Sequence, residues 1–193
     1  MLKKAQQYKA IVIGTSAGGL FVLFDLLKQL PADYPIPIII VQHRAKDQRD
    51  LLEEILQSRC RICIRQAEEK ENISAGNVYI APPDYHLLIE NDYTLSLSDD
   101  AHVRYSRPSI DVLFESAAFA YGPALIGIIL TGANSDGAAG LATIKKEGGV
   151  TIAQDPKEAA FPMMPEAAIK KGVDYIWTIE KISTFLLEQA DTK

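Results

Sequence analysis

Apolar residues along this chain follow two alternating rhythms. Continuous runs at residues 11–13, 36–41 and 124–130 are rich in β-branched side chains and predict strands buried on both faces. Between them, apolar positions recur at helical spacing: Leu20, Leu23, Phe24, Leu27 and Leu30 in one segment, and Ile110, Leu113, Phe114, Ala117 and Ala118 in another. An amphipathic segment from about Asp47 to Ser58 carries Leu51, Leu52, Ile55 and Leu56 on its apolar side. Further on, the pattern predicts a helix over 138–147, a strand over 150–153, a short helix near 166–171, a strand near 175–178 and a terminal helix over 179–189. Residues 60–98 break the rhythm. They hold short strand candidates at 61–66, 77–81, 86–90 and 94–98, divided by turn signals, and the last two suit a hairpin. The expected fold is therefore α/β: a doubly wound, mostly parallel sheet with a local antiparallel insertion, and helices on both faces.

A chain of 193 residues suffices for one substantial core, so a single domain over 1–193 is expected. The apolar runs are too short to span a bilayer, and no membrane insertion is expected. The positively charged start, Met1 to Tyr8, leads straight into a strand and a glycine turn rather than a cleavage site, which predicts a cytoplasmic protein. Net charge is −5 with no basic cluster, which argues against nucleic acid as a partner. Cys60 and Cys63 form a CxxC, yet their surroundings are strand-like and no second Cys or His pair lies nearby, so neither a redox nor a zinc role is expected.

Chemistry gathers at predicted strand ends. Ser16 sits inside GxSxG, between an apolar run and a helical pattern, where a hydroxyl is lifted to the strand's carboxyl end beside free helix N–H groups. The simpler reading is an N-cap serine. His43 directly follows the second strand, and Asp136 follows the third within a glycine-rich turn. A serine, an imidazole base and a carboxylate that holds the imidazole's tautomer are the parts of an acyl-transfer site. Asp136 or Ser135 could instead cap the helix near Ala138. His86, after a Pro-Pro-Asp-Tyr turn, is the rival base, and His102 lies in a polar stretch. A phosphate- or nucleotide-binding turn is the alternative class. Ser16 occupies the place of the middle glycine in GxGxxG, and no GK[ST] follows.

Several segments together resemble the catalytic domain of the chemotaxis protein-glutamate methylesterases. They are Gly14 to Gly19, Val41-Gln42-His43, Tyr79 to His86, Arg107 to Phe114, Leu130 to Gly137 and Thr151 to Asp155. The likeness spans nearly the whole chain. It implies a Ser16, His43 and Asp136 triad that hydrolyses glutamate methyl esters on a methylated, helical chemoreceptor-like protein, with a related deamidation of glutamine and no cofactor or metal. The N–H groups of Ala17 and of Ala133 or Asn134 are then oxyanion candidates. Arg107 and His86 are candidates for substrate binding, with helix capping the alternative for Arg107. The sequence departs from the family at Ala17, commonly Thr, and at Ala133-Asn134, commonly Met-Gly; these changes are expected to alter packing around an ester methyl and raise the alternative of a catalytically weakened scaffold. Members usually carry a receiver domain ahead of this one. Here the first strand begins near Lys9, so no receiver is expected.

Overall fold

The computed structural model describes residues 8–44 and 51–190. In chain order the strands are β1 (Ala10–Thr15), β2 (Ile38–Gln42), β3 (Cys63–Gln66), β4 (Asn77–Ile80), β5 (His86–Ile89), β6 (Leu95–Ser98), β7 (Leu125–Ile129), β8 (Val150–Gln154) and β9 (Tyr175–Trp177). The helices are α1 (Gly19–Leu27), α2 (Leu52–Gln57), α3 (Ile110–Tyr121), α4 (Ala138–Lys146), α5 (Met163–Lys171) and α6 (Ile179–Ala190). Among the described residues, seven strands make one parallel sheet in the order β3-β4-β2-β1-β7-β8-β9, while β5 and β6 pair antiparallel as a separate hairpin.

The period of two explains why the strand sequences are apolar throughout. Along β1, Ile11 and Ile13 join Leu23, Leu26 and Leu27 of α1 in one core, with residues of α2 and α6; Ala10 and Val12 face the other way, into a second core with α3, α4, α5 and the hairpin. Both strand faces are thus covered. The chain steps from β1 to β2 on one side and later from β7 to β9 on the other, so the winding reverses between β1 and β7. In such sheets ligands bind beyond the carboxyl ends of the strands at that reversal.

Three details differ from the sequence reading. Within residues 60–98 the strands β5 and β6 pair antiparallel, whereas β3 and β4 run parallel and extend the main sheet. Four-residue strands carry too few alternations to reveal their direction. The first helix stops at Leu27, although Leu30 beyond it is still fully buried. The fifth begins at Met163 rather than near Glu166, because Pro165 falls in its first turn, where the missing N–H has no helical partner to lose. The start of the predicted Asp47–Ser58 segment and the residues Met1 to Gln7 lie outside the described residues; α2 covers the remainder of the former.

Candidate active site

Strand register brings the first two groups together. Thr15 pairs with Gln42 across β1 and β2, so the next residues, Ser16 and His43, leave the sheet side by side. His43 N–H donates to Thr15 O (3.0 Å) and Ser16 N–H to Thr131 O (3.0 Å), which ties the ends of β2, β1 and β7 into one rim. The Gln42 amide adds a second tie, donating from Nε2 to both Ser16 O (2.9 Å) and His43 O (3.1 Å).

Ser16 is not the N-cap of α1. Gly18 takes that position with φ +80° and no side-chain cap bond, a left-handed conformation that suits glycine. The turn is closed by Gly19 N–H donating to Ser16 O (2.9 Å), and Thr131 Oγ1 donates to Ala17 O (3.0 Å). Among the described residues, no hydrogen bond occupies the Ser16 hydroxyl or the N–H groups of Ala17 and Ala133.

Asp136 reaches the same rim from the turn before α4, and its carboxylate collects donors. Oδ2 lies 2.9 Å from His43 Nε2 and accepts Ile110 N–H at 2.7 Å. Oδ1 accepts Ser109 Oγ–H (3.0 Å), Asp111 N–H (3.1 Å) and Gly137 N–H (3.0 Å). Asp136 therefore does cap a helix, but that helix is α3 rather than α4. Burial pushes its carboxyl upward, and the hydrogen bonds from His43, Ile110 and Asp111 outweigh burial, holding it below the usual carboxylate range. Because the carboxylate stays ionised, Nε2–H of the imidazole is the donor. Neighbouring Asp111 moves the other way. Burial raises its carboxyl above the ordinary value, and the charge of Asp136 adds to that rise, against hydrogen bonds from Gly140 N–H and Arg104.

The opposite imidazole nitrogen, Nδ1, meets the Asn134 amide at 3.3 Å. Asn134 Oδ1 accepts Asp136 N–H (3.0 Å), and this fixes which end of the amide faces the ring: its NH2 group donates to Nδ1. Ser16, His43 and Asn134 border one cleft of about 460 Å³, walled on its far side by His102, Tyr105 and Arg107. A larger hollow of about 650 Å³, between α2 and β3, contains none of these groups.

The remaining candidates sit differently. His86 is almost fully buried, accepts Ser109 N–H at Nδ1 (3.1 Å) and donates from Nε2–H to Ala101 O (3.1 Å). Both ring nitrogens are spent on holding the start of α3 and the 101 segment, and His86 does not line the cleft. Arg107 does line it, but its guanidinium grips Asp84 Oδ1 from Nε (3.0 Å) and from a terminal nitrogen (2.6 Å), and donates to the carbonyls of Asp99 and Asp100. Cys60 is buried, Cys63 is exposed, and both thiols are free. Among the described residues, no three His, Cys, Asp or Glu side chains converge as a metal ion would need. Sequence reasoning missed Gln42, Ser109 and Thr131. Each is a polar residue set at the end of a buried strand or just before a helix, which is the one local signal that could have marked it.

A serine hydroxyl and an imidazole on one cleft, with the ring's far nitrogen held by a buried carboxylate, can carry out acyl transfer. Comparisons with known proteins point to the same chemistry. The family model described as CheB methylesterase matches residues 11–186. A Leptospira interrogans protein, itself named only provisionally as a protein-glutamate methylesterase/protein-glutamine glutaminase, is 51% identical over 93% of this chain and 94% of its own length. The Geobacter metallireducens protein-glutamate methylesterase/protein-glutamine glutaminase 1 is 42% identical over 85% of this chain, which spans 46% of that longer protein. The crystal structure of the Thermotoga maritima CheB methylesterase catalytic domain superposes with a TM-score of 0.89 at 34% identity, covering 94% of this chain and 98% of that one.

Proposed function

This chain belongs to the CheB methylesterase family, and from that premise we propose that Ser16, His43 and Asp136 hydrolyse glutamyl γ-methyl esters on a methylated, helical chemoreceptor-like protein in the cytoplasm. Ser16 Oγ attacks the ester carbonyl carbon, the carbonyl π pair moves onto oxygen, and the hydroxyl proton passes to the Nδ1 lone pair of His43. Asp136 keeps its hold on Nε2–H and stabilises the imidazolium so formed. When the tetrahedral intermediate collapses, the methoxy oxygen takes the proton from Nδ1 and leaves as methanol. Water then attacks the acyl-serine and gives a proton to the same nitrogen; as the second intermediate collapses, the C–Oγ bond breaks, Oγ takes that proton from Nδ1, and glutamate and the Ser16 hydroxyl are released. Glutamine follows the same course with ammonia as the leaving group.

The unused N–H groups of Ala17 and Ala133 supply the oxyanion donors, and losing one such donor typically costs about 3 kcal/mol of transition-state stabilisation. Ala17 directly follows Ser16 and Ala133 directly precedes Asn134, both of which border the cleft. The reaction calls on no cofactor or metal. The observation that carries the reading is the cross-strand pairing that sets Ser16 next to an imidazole already bonded to a carboxylate. Methanol release from a methylated receptor fragment tests it. Ser16→Ala should fall to background with thermal stability near wild type, since no side-chain hydrogen bond is lost, and sustained turnover in that variant overturns the reading.

A further inference from the structure

We propose that Asn134 is a positioning residue that locks the His43 imidazole into the tautomer with hydrogen on Nε2 and a lone pair on Nδ1, and that its amide must move aside for Ser16 to deliver a proton. This rests on the reading of His43 as the base.

The argument begins with the directions of the hydrogen bonds. Asp136 is acceptor only, so the nitrogen facing it carries hydrogen. The Asn134 carbonyl oxygen is taken by Asp136 N–H, so its NH2 group faces Nδ1 and can only donate. An acceptor on one side and a donor on the other leave one neutral tautomer satisfied. The imidazolium is not satisfied, because a proton on Nδ1 would point at the hydrogens of the amide. The amide therefore occupies the lone pair that Ser16 needs, and the resting site holds its base covered.

The same geometry predicts an effect on pH dependence. The groups facing His43 are Asp136 and, behind it, Asp111 from the α3 side; Arg44 from its own strand end, paired with Glu53; and His102, Tyr105 and Arg107 across the cleft. None of them donates to Nδ1. Among the described residues, Asn134 is the group that donates to that atom, so removing it lets acid protonate the base more readily. The acid limb of kcat/KM should shift to higher pH.

Two variants separate hydrogen bonding from charge. Asn134→Asp keeps the oxygen that accepts Asp136 N–H but turns a donor into an anionic acceptor, whereas Asn134→Ala removes the donor with no new charge. Expected are acid limbs raised by on the order of half a pH unit in Asn134→Ala, as for the loss of one ordinary hydrogen bond, and by more in Asn134→Asp. An acid limb unmoved in Asn134→Ala, with only Asn134→Asp displaced, would reduce the effect to charge and overturn the proposal. Imidazole ¹⁵N shifts, recorded in Ser16→Ala protein, give a readout independent of turnover: hydrogen on Nε2, and an Nδ1 resonance that moves when Asn134 becomes Ala. Hydrogen on Nδ1 at neutral pH, or an Nδ1 signal blind to Asn134, sinks the tautomer lock even if hydrolysis stands. Turnover persisting in Ser16→Ala sinks the hydrolase reading while the ¹⁵N result still decides the role of Asn134.

Discussion

His43 Nε2 and the Ile110 N–H converge on a single oxygen, Asp136 Oδ2, at 2.9 and 2.7 Å. The imidazole is thereby coupled to the first turn of α3, whose dipole favours negative charge at that end. The carboxylate is buried, which alone would favour its protonated form, yet five donors keep it charged. A group with so many fixed partners cannot swing, so the base inherits its orientation from a helix start rather than from a flexible loop.

Asp136→Asn should separate charge from shape. Oδ1 has three donors and Oδ2 has two, so the new amide oxygen will take the Oδ1 place and its NH2 will face His43 Nε2. An NH2 group then faces each ring nitrogen, so neither neutral tautomer is satisfied, and hydrogen placed on Nδ1 leaves no lone pair there for the serine proton. By analogy with serine-protease triads, kcat should drop by about 10⁴-fold while KM changes little. Steady-state kinetics on a methylated receptor fragment read it directly.

Acid should weaken the fold through the same residue. The Asp136 carboxyl is held below its ordinary value, so its contribution is complete above the unfolded value of about 3.9 and is lost as pH falls through the depressed folded value. Asp111 has the opposite sign, since its raised carboxyl is destabilising when ionised and acidification relieves that cost. Urea midpoints between about pH 5 and pH 2 should show wild type falling toward Asp136→Asn at the acid end. Parallel curves would mean that Asp136 does not supply the slope.

Much of this was legible in the sequence, for reasons that can be named. Residues 11–13, 38–41 and 125–130 are buried, so their runs announced parallel strands, and the parallel sheet puts Ser16 and His43 at one rim, which Asp136 reaches through the turn before α4. What escaped depended on contacts between turns far apart in sequence. Asn134 stood out as a departure from a familiar pattern and was expected to affect packing; that it would donate to His43, 91 positions away, follows only from where two turns meet. Asp136 looked like a cap for the helix that follows it, whereas its carboxylate takes the first N–H groups of α3. His86 resembled a base because it follows a turn, and its burial against Ser109 comes from the hairpin folding under α3.

That placement of His86 yields a contrast of two substitutions. His86→Ala leaves the Ser109 N–H buried without its acceptor and opens a cavity, so a loss of about 2–4 kcal/mol is expected. Turnover should survive in the protein that remains folded, reduced through slack at Ser109 and Asp136. His43→Ala should do the reverse, removing turnover at small cost in stability. Thermal unfolding and initial rates on both variants check this, and loss of all turnover in folded His86→Ala would mean that the buried histidine has a part in the chemistry.

The last test concerns how tightly the two strand ends are clamped. A Cβ at Gly19 would fall 2.2 Å from Gln42 Oε1 and 2.5 Å from Thr15 Oγ1, far inside contact distance. Neither atom yields freely: Gln42 is pinned by its bonds to the Ser16 and His43 carbonyls, and Thr15 Oγ1 donates to Thr131 O at 2.9 Å. Gly19→Ala should therefore push the Gln42 amide off the two carbonyls, costing about 1–3 kcal/mol and lowering kcat more than it raises KM. Gln42→Ala removes the same clamp without the collision, so Gly19→Ala added to it should cost less than it does alone. Additive losses in that double-mutant cycle, measured by urea unfolding and kcat, would show that Gly19 and Gln42 act separately and that the strand ends are held by the sheet itself.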